Sequence, residues 1–204
     1  IYLVGGAVRD MLLGRTTHDL DFALAGDGIR SGRRVADALG GAFYPLDTER
    51  GTGRVILTQT DGARQVLDFS RLRGPDLESD LRGRDFTINA IALLPDGHTY
   101  DPLQGIADLE ARRLRPCSPT SLLSDPLRVL RVARFAARFG YAVAPETLAL
   151  MQEIVAAGEL EQLVAERVWA EIERALGERA PPRFFEVLRE CGALARVLPE
   201  LDAL

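Results

Sequence analysis

The amino-acid sequence predicts an α+β fold, with a small mixed β-sheet flanked by helices and an all-helical region after it. Short β-rich runs and helical segments alternate up to residue 115, and after Pro116 helical periodicity continues without a strand candidate. The 204 residues are 47% hydrophobic and 27% charged, so the chain can bury a substantial core and is not disordered by composition.

Glycine turns separate the predicted elements of the first part. Gly5-Gly6 follows the first strand, Gly14 ends the first helix, and Asp61-Gly62 between two β-rich runs is a strong hairpin signal. The pattern predicts strands at 1–4 and 20–24, helices over 8–13 and 32–39, a hairpin of 54–60 and 65–70, and a buried helix over 87–94.

Proline-containing stretches divide the second part. Pro116 and Pro119 mark one boundary, and Pro181-Pro182 marks a smaller one. We therefore expect one domain over 1–115, a helical domain over 116–180 and a third, helical segment over 181–204. The sequence begins with Ile1 inside an apolar run and stops just after another, so we expect a piece of a longer protein. The predicted helices span 127–139, 146–155, 161–176 and 184–188.

Composition and charge exclude several classes of protein. All 25 cationic side chains are arginines, through coding bias or through selection for bidentate contacts, which excludes a Schiff-base or P-loop lysine. No apolar run approaches the ~18 residues of a membrane span. Cys117 and Cys191 lie far apart, which excludes a zinc finger or a disulfide scaffold and is compatible with a cytoplasmic location.

The net charge of −5 argues against a uniformly basic nucleic-acid binder. That total hides two opposite bands, however. Residues 112–138 contain seven arginines and one acid, whereas residues 146–178 contain eight glutamates and two arginines.

Three aspartates are candidate catalytic residues. Asp19 and Asp21 stand two apart at a strand start, which places both carboxylates on one face. Such a pair repels unless a cation lies between its members, so it predicts a Mg²⁺ site; the alternative is two solvated loop acids. Asp68 stands among apolar strand residues and needs a partner or a metal, unless it faces water at a strand end. Together the three would form a two-metal phosphoryl-transfer centre.

The Gly5-Gly6 turn lies between the first strand and the first helix. Glycines let backbone N–H groups approach a phosphate closely, and a helix N-terminus adds a favourable dipole. Arg9 could add a guanidinium fork to the same phosphates. The alternative is a plain turn.

The run GGAVRDMLLGRTTHDLDFAL resembles the signature of class II nucleotidyltransferases, in the DNA polymerase beta superfamily. These are tRNA CCA-adding enzymes, their CC- and A-adding relatives, and bacterial poly(A) polymerases. Four further segments are similar to the family's motifs in the same order: RGRDFTINAIAL (82–93), DPLQGIADL (101–109), SDPLRVLRVARFAARFGYAVAPET (124–147) and AERVWAEIERAL (165–176). The resemblance implies a nucleotidyltransferase head over 1–115, a helical neck over 116–180 and the start of a helical body over 181–204.

The resemblance also implies roles in the head. Asp19 and Asp21 would bind two Mg²⁺ ions, and Asp68 corresponds to a position where relatives carry an acid. Arg84, Asp85 and Asn89 match the motif that handles ribose and triphosphate, and an acceptor such as Asp85 can bond a 2′-hydroxyl. Asn89 is otherwise a buried helix amide. Many relatives have a second arginine where this chain has Gly83, which would shift or remove one phosphate contact.

In the neck, Asp125 and Arg128 match the family's base-reading pair. An aspartate accepts from the amino group of adenine or cytosine, and an arginine donates to the ring nitrogen beside it. Asp125 before Pro126 is also a good helix N-cap, and relatives usually carry glutamate where Ser124 stands.

Arg128 begins a stripe of four arginines on one helical face. The stripe either faces the nucleotide, the RNA or the acidic helices, or forms a solvated surface, and we assign Arg131 and Arg134 to nucleotide binding. Arg167 and Glu171 match the last motif, where the expected role is support of the base-reading helix. The stripe consists of Arg128, Arg131, Arg134 and Arg138.

The function that the resemblance implies is template-independent addition of CMP and AMP to a tRNA 3′ end, with ATP and CTP as substrates and pyrophosphate as product. The alternatives are a poly(A) polymerase acting on other RNA 3′ ends, a specialised CC- or A-adding enzyme, and a non-catalytic RNA- or nucleotide-binding paralogue. Nothing in the sequence predicts the oligomeric state.

Overall fold

The computed structural model describes residues 1–204, which fold as two compact units. The first unit contains Ile1–Arg84 and Ile88–Ile106. The second contains Asp85–Thr87 and Ala107–Leu204. The chain therefore passes into the second unit for three residues of the RDFTIN segment, Asp85–Thr87, and returns to the first unit at Ile88.

The first unit is built on a mixed seven-stranded sheet with the order β3-β4-β5-β2-β1-β6-β7. Only β2 and β5 pair in parallel, and every other neighbouring pair is antiparallel. The strands are β1 (Tyr2–Val4), β2 (Asp19–Leu24), β3 (Ala42–Asp47), β4 (Thr52–Thr58), β5 (Arg64–Arg71), β6 (Ala92–Leu93) and β7 (Thr99–Tyr100). The helices of this unit are α1 (Gly6–Leu12), α2 (Gly28–Leu39) and α3 (Leu77–Arg82).

One face of the sheet carries the apolar core. Since side chains alternate along a strand, the residues next to Asp19, Asp21 and Asp68 point the other way, onto α2. There Phe22 and Phe69 stack with ring centroids 5.0 Å apart. The buried cluster on this face consists of Leu24, Ala36, Val55, Leu67 and Phe69. The apolar face thereby fixes the register that places the polar residues on the opposite face.

The glycine signals of the sequence are confirmed at two turns. Gly14 lies just after α1 with a φ of 66°, and Gly62 has a φ of 83° in the β4–β5 hairpin. A positive φ of this size is unstrained only for glycine.

The predicted buried helix over 87–94 is wrong. The segment forms a 3-10 turn at Thr87–Asn89 and then the short strand β6, which pairs with β1 on one side and β7 on the other. An apolar run of this length fits a buried strand and a buried helix equally well, so periodicity alone could not separate them. The strand β3 also lacked a sequence signal, because it is an edge strand with mostly exposed side chains.

The second unit is mainly helical, and α6 (Arg128–Phe139) is its central element. A row of aromatic contacts follows this helix. The ring centroids are 5.1 Å apart for Phe86 and Phe135, 5.6 Å for Phe135 and Phe139, and 5.5 Å for Phe139 and Tyr141. The division between the two units falls within α4 (Gly105–Glu110). The helices after it are α5 (Pro119–Leu123), α6 (Arg128–Phe139), α7 (Pro145–Ala156), α8 (Ala165–Leu176), α9 (Pro181–Glu190), α10 (Leu194–Val197) and α11 (Pro199–Asp202).

The expectation of no strand beyond residue 116 is also wrong. Ala142–Val143 forms the strand β9, which pairs in parallel with β8 (Arg113–Leu114). A two-residue strand is too short to show alternation, so only its pairing reveals it. The helix predicted to begin at residue 161 begins at Ala165, after a 3-10 turn at Glu159–Gln162.

A buried carboxylate anchors Asp85–Thr87 in the second unit. Asp108 is fully buried and accepts hydrogen bonds from Thr87 Oγ1 at 2.6 Å, from Arg113 at 2.7 Å and from Arg115 at 2.9 Å. Burial alone would raise the pKa of Asp108, but these hydrogen bonds outweigh it and lower the pKa. The ionised carboxylate therefore ties residues 85–87 to the segment that carries β8.

None of the helices is long and apolar enough to cross a lipid bilayer.

The close approach of α2 to the sheet gives a stability prediction. A Cβ on Gly28 would lie 2.3 Å from the carbonyl oxygen of Phe69 and 2.4 Å from that of Gly51, and neither backbone atom can move easily. We expect Gly28→Ala to lower the free energy of unfolding by about 1–3 kcal/mol, measured by urea denaturation. Gly26→Ala is the control, because its Cβ meets only Leu24 Cδ1 at 3.7 Å. Equal stability of the two variants would contradict this packing.

Candidate functional site

Asp19, Asp21 and Asp68 lie on one face of the sheet, on the adjacent strands β2 and β5. The register pairs Asp21 directly with Asp68 and pairs Asp19 with Val66. Asp19 and Asp21 are exposed, whereas Asp68 is half-buried. The structure thus brings together the three predicted catalytic carboxylates on the face opposite the apolar core.

The surroundings of Asp21 disfavour the ionised form of its carboxylate and raise its pKa. Desolvation by nearby protein atoms raises the pKa of the exposed Asp21 most, and repulsion from Asp68 and Asp19 raises it further. Arg84 and Arg54 oppose these effects but do not cancel them. The solvent-facing surface of Asp21 is therefore a place where a cation would relieve unfavourable charge.

Asp68 has a cationic partner that the sequence did not reveal. Arg54 lies opposite it on β4, and its Nε and Nη2 each donate to one carboxylate oxygen at 2.7 Å. Hydrogen bonding to Asp68 raises the pKa of Arg54, so the guanidinium stays protonated. The prediction that a half-buried Asp68 needs a partner is confirmed, and the partner is an arginine fork.

The Gly5 turn allows a side chain and a carboxylate to approach the backbone. Gly5 has a φ of 77°, and a Cβ there would lie 2.9 Å from Arg84 Nη1 and 3.4 Å from Asp21 Oδ2. Only glycine permits both the conformation and the approach. The turn, Arg84 and Asp21 therefore form one surface on which a guanidinium and a carboxylate lie beside the glycine backbone.

Arg9, predicted to contact phosphate, is directed into the protein interior. Arg9 is only 3% exposed. Its Nε and Nη2 donate to Asp10 at 3.0 and 2.9 Å, and its Nη1 donates to Asn89 Oδ1. A Cβ on Gly6 would lie 3.2 Å from the Arg9 guanidinium, so this arginine supports the turn from the protein interior.

Asn89 is 8% exposed and is held by Arg9 within the first unit. It lies at the end of the 3-10 turn Thr87–Asn89, where its Oδ1 accepts from the Arg9 guanidinium.

Asp85 belongs to the second unit and is oriented from two sides. One carboxylate oxygen accepts from its neighbour's backbone, Phe86 N, at 2.8 Å. The other accepts from Arg131 Nη2 at 2.6 Å. Arg131, predicted to bind nucleotide, thus orients the residue predicted to read ribose.

The arginine stripe of α6 does not act as a single surface. Arg128 Nη1 donates to the carbonyl of Ser121 at 2.7 Å, and the Nε atoms of Arg128 and Arg131 are buried without a hydrogen-bond partner. Arg138 lies with its guanidinium carbon 5.2 Å from the centroid of the Phe139 ring. The members of the stripe therefore have different environments.

Arg134, predicted to bind nucleotide, is held by two glutamates of the second unit. It is 8% exposed, and it donates to Glu171 at 2.7 Å and to Glu178 at 3.4 Å. The arginine-rich band of residues 112–138 and the glutamate-rich band of residues 146–178 meet here in a buried ion pair between α6 and α8. Arg134 therefore stabilises the packing of these two helices.

Asp125 is not a helix cap. Its side chain makes no capping hydrogen bond to α6, and both of its oxygens accept from Arg167 Nη2, at 3.2 and 3.3 Å. Arg167 and Glu171, predicted to support the base-reading helix, support two different residues, Asp125 and Arg134. Asp125 remains accessible, with its side chain 30% exposed.

Two carboxylates of the first unit are suited to bind a divalent cation. No cluster of three or more His, Cys, Asp or Glu side chains is arranged to hold a metal. Asp19 and Asp21, however, present exposed carboxylates on one face, and the raised pKa of Asp21 shows that its ionised form is disfavoured without a cation. Two hard oxygen donors with open positions suit Mg²⁺, which keeps several waters or takes phosphate oxygens as further ligands.

Two models of protein families match this chain. Residues 1–115 match the model described as the poly A polymerase head domain. Residues 140–204 match the model described as a probable RNA and SrmB-binding site of polymerase A.

Curated relatives are similar over the whole chain. The Multifunctional CCA protein of Nitrosomonas eutropha is 50% identical over 212 residues, which cover 100% of this chain and 50% of that protein. The CCA-adding enzyme of Pseudomonas putida is 50% identical over 210 residues, which cover 99% of this chain and 57% of that protein. The chain spans about half the length of the curated relatives that it matches.

Solved structures give the same picture. A tRNA-processing enzyme with CTP has a TM-score of 0.86 at 33% identity, over 96% of this chain and 54% of that chain. The Thermotoga maritima CCA-adding enzyme complexed with tRNA has a TM-score of 0.85 at 30% identity, over 98% of this chain and 48% of that chain.

The crowding of carboxylates predicts how Asp21 titrates. Asp68→Asn removes a repelling charge and frees Arg54, so we expect the pKa of Asp21 to fall; Arg84→Leu should raise it. NMR titration of the aspartate carboxyl carbons, without divalent ions, measures both shifts. Asp37→Asn, at an exposed position of α2, should leave the pKa of Asp21 unchanged.

The same pKa has a consequence for stability. Because the folded-state pKa of Asp21 lies above its unfolded value, folding stability decreases as the pH rises through the folded-state pKa. We therefore expect Asp21→Asn to be more stable than the unsubstituted protein at neutral pH without divalent ions. A variant that is less stable there would contradict the repulsion.

Proposed function

Because the poly A polymerase head-domain model matches more than half of this chain, the chain belongs to that family, and on this premise we propose that it is a template-independent RNA nucleotidyltransferase. The proposed reaction is attack of a tRNA 3′-hydroxyl on the α-phosphate of CTP or ATP, with release of pyrophosphate. The observation that carries the proposal is the surface formed by the Gly5 turn, Arg84 and the Asp19/Asp21 pair.

Asp19 and Asp21 would hold the divalent ions that this family generally uses. We propose Mg²⁺ and two ions, since both carboxylates are exposed on one face and Asp21 carries uncompensated negative charge. When bound, such ions lower the pKa of an attacking hydroxyl and neutralise a triphosphate. Asp68 is held by Arg54, so we propose that it shapes the field at Asp21 and assists catalysis only indirectly.

The backbone of Gly5 and Gly6 and the side chain of Arg84 would bind the triphosphate. Arg84 Nη1 is directed to the turn, where its charge would stabilise the negative charge that develops on the leaving pyrophosphate. Arg9 and Asn89 support this turn from below.

Base and ribose recognition are proposed for the second unit. Asp85, oriented by Arg131, would accept a hydrogen bond from the 2′-hydroxyl. Asp125 would accept from the amino group of cytosine or adenine, and Arg128 would donate to the adjacent ring nitrogen. The buried, unpartnered Nε of Arg128 fits a donor that a ligand satisfies.

Relatives named Multifunctional CCA protein and CCA-adding enzyme favour tRNA as the RNA substrate. The family description favours poly(A) polymerase as the second candidate, and a specialised CC- or A-adding enzyme shares the same surface. We propose the head over 1–115, the neck over 116–180 and the start of the body over 181–204. The buried Cys117 and Cys191 are compatible with a cytoplasmic location.

A direct assay tests the proposal. The purified protein is incubated with Mg²⁺ and with tRNA transcripts ending before the CCA sequence, after its first C or after its second C. Each nucleoside triphosphate is supplied separately, and the products are sequenced. We expect CMP addition to the first two transcripts and AMP addition to the third. Asp19→Asn should reduce incorporation about 100-fold or more, because it removes an oxygen donor from the ion site.

Asp37→Asn is the matched control, since it removes an exposed carboxylate from α2. Efficient GTP or UTP incorporation would contradict base reading by Asp125 and Arg128. Long AMP tails on any RNA would favour the poly(A) polymerase alternative. Full activity of Asp19→Asn would contradict the proposed role of the carboxylate pair.

A further inference from the structure

Asp80 is a buried carboxylate for which the proposed reaction gives no role. It lies near the end of α3 and is 1% exposed. Its Oδ2 accepts from Arg84 Nε at 3.0 Å and from Arg84 Nη2 at 2.8 Å, and its Oδ1 accepts from the backbone N–H of Arg73 at 3.1 Å. Both oxygens are therefore used, and the carboxylate is surrounded by protein.

These hydrogen bonds determine which part of Arg84 faces the Gly5 turn. Nε and Nη2 are both directed to Asp80, so the remaining terminal nitrogen, Nη1, lies where a Cβ of Gly5 would be 2.9 Å away. Rotation of Arg84 away from the turn would leave Asp80 as an unpaired buried charge, which is strongly unfavourable. The guanidinium is thus fixed in one orientation before any ligand arrives.

An exposed pair on the same helix shows that the spacing alone does not create this constraint. Glu78 and Arg82 have the same i,i+4 spacing and a contact of 2.7 Å, but their side chains are 43% and 54% exposed. The side chains of Asp80 and Arg84 are 2% and 13% exposed. The exposed pair can separate into water at little cost, whereas the buried pair cannot.

We propose that Asp80 is a positioning residue: it holds Arg84 with one nitrogen directed at the Gly5 turn, so that an incoming polyphosphate binds a pre-oriented guanidinium. The identity of the polyphosphate, a nucleoside triphosphate, rests on the proposed function. Pre-orientation favours binding because the side-chain entropy is already lost in the free protein. It also requires arginine, since a lysine at 84 could not bond Asp80 through two nitrogens and present a third.

Binding of inorganic tripolyphosphate, measured by isothermal titration calorimetry, tests the proposal without requiring catalysis. We expect Asp80→Asn to weaken binding about tenfold, because the carboxylate that orients Arg84 becomes a neutral amide. Glu78→Gln, which alters the exposed pair on the same helix, should bind as the unsubstituted protein does. Thermal denaturation of each variant is measured in parallel.

A double-mutant cycle separates positioning from a general structural role. In the Arg84→Met background, Asp80→Asn should cause no further loss of tripolyphosphate affinity, since the residue through which it acts is already gone. A structural role would weaken binding equally in both backgrounds and would overturn the proposal.

Arg84→Lys provides an independent variant if Asp80→Asn does not fold. It keeps the charge beside Asp80 but loses the fork, and we expect about tenfold weaker tripolyphosphate binding. Affinity equal to that of the unsubstituted protein, for this variant or for a folded Asp80→Asn, would overturn the proposal. So would failure of the unsubstituted protein to bind tripolyphosphate. Nucleotide incorporation into tRNA is measured separately, so its absence alongside these binding losses would contradict only the proposed function.

Discussion

The first unit has to accommodate three carboxylates crowded on one face of its sheet. Asp19, Asp21 and Asp68 share one face of two parallel strands, and the pKa of Asp21 is raised by its burial and by the charges of the other two. The fold tolerates this because the opposite face of the same strands packs on α2 through Phe22, Phe69 and their neighbours. Period-two alternation makes the apolar packing and the acidic surface two consequences of one register.

Arginine forks distribute the compensating charge. Arg54 neutralises Asp68 with two hydrogen bonds of 2.7 Å, and Arg84, held by Asp80, approaches Asp21 at the Gly5 turn. Asp21 keeps only partial compensation, which is what an ion-binding carboxylate requires. In the second unit the same chemistry serves structure, since Asp108 and Glu171 are buried carboxylates that each accept from two arginines. A chain without lysine can build such forks at many positions.

Local patterns in the sequence predicted part of this arrangement. The alternate spacing of Asp19 and Asp21, the Gly5-Gly6 turn and the Asp61-Gly62 hairpin depend on neighbouring residues, and the structure has each in its expected place. The spacing of Asp80 and Arg84 was also visible as an i,i+4 pair, although its burial was not.

Contacts between residues far apart in the sequence could not be predicted from the sequence alone. Arg54 and Asp68 meet only because β4 and β5 pair in one register, and Arg134 and Glu171 are separated by 37 residues. Arg9 looked like a phosphate ligand because it follows a glycine turn. The structure shows instead that its side chain turns inward to Asp10 and Asn89. Burial of a charged side chain depends on partners that periodicity does not specify.

Glycine at position 5 lets Arg84 and Asp21 meet at one backbone turn. Calorimetric titration of Gly5→Ala with CTP and Mg²⁺ tests it most directly. Gly97→Ala is the matched control, since Gly97 has a φ of 87° but nothing within 4 Å of its Cβ position. The structure predicts CTP binding about tenfold weaker or worse for Gly5→Ala and unchanged for Gly97→Ala. CTP binding by a folded Gly5→Ala variant with the affinity of the unsubstituted protein would contradict the claim.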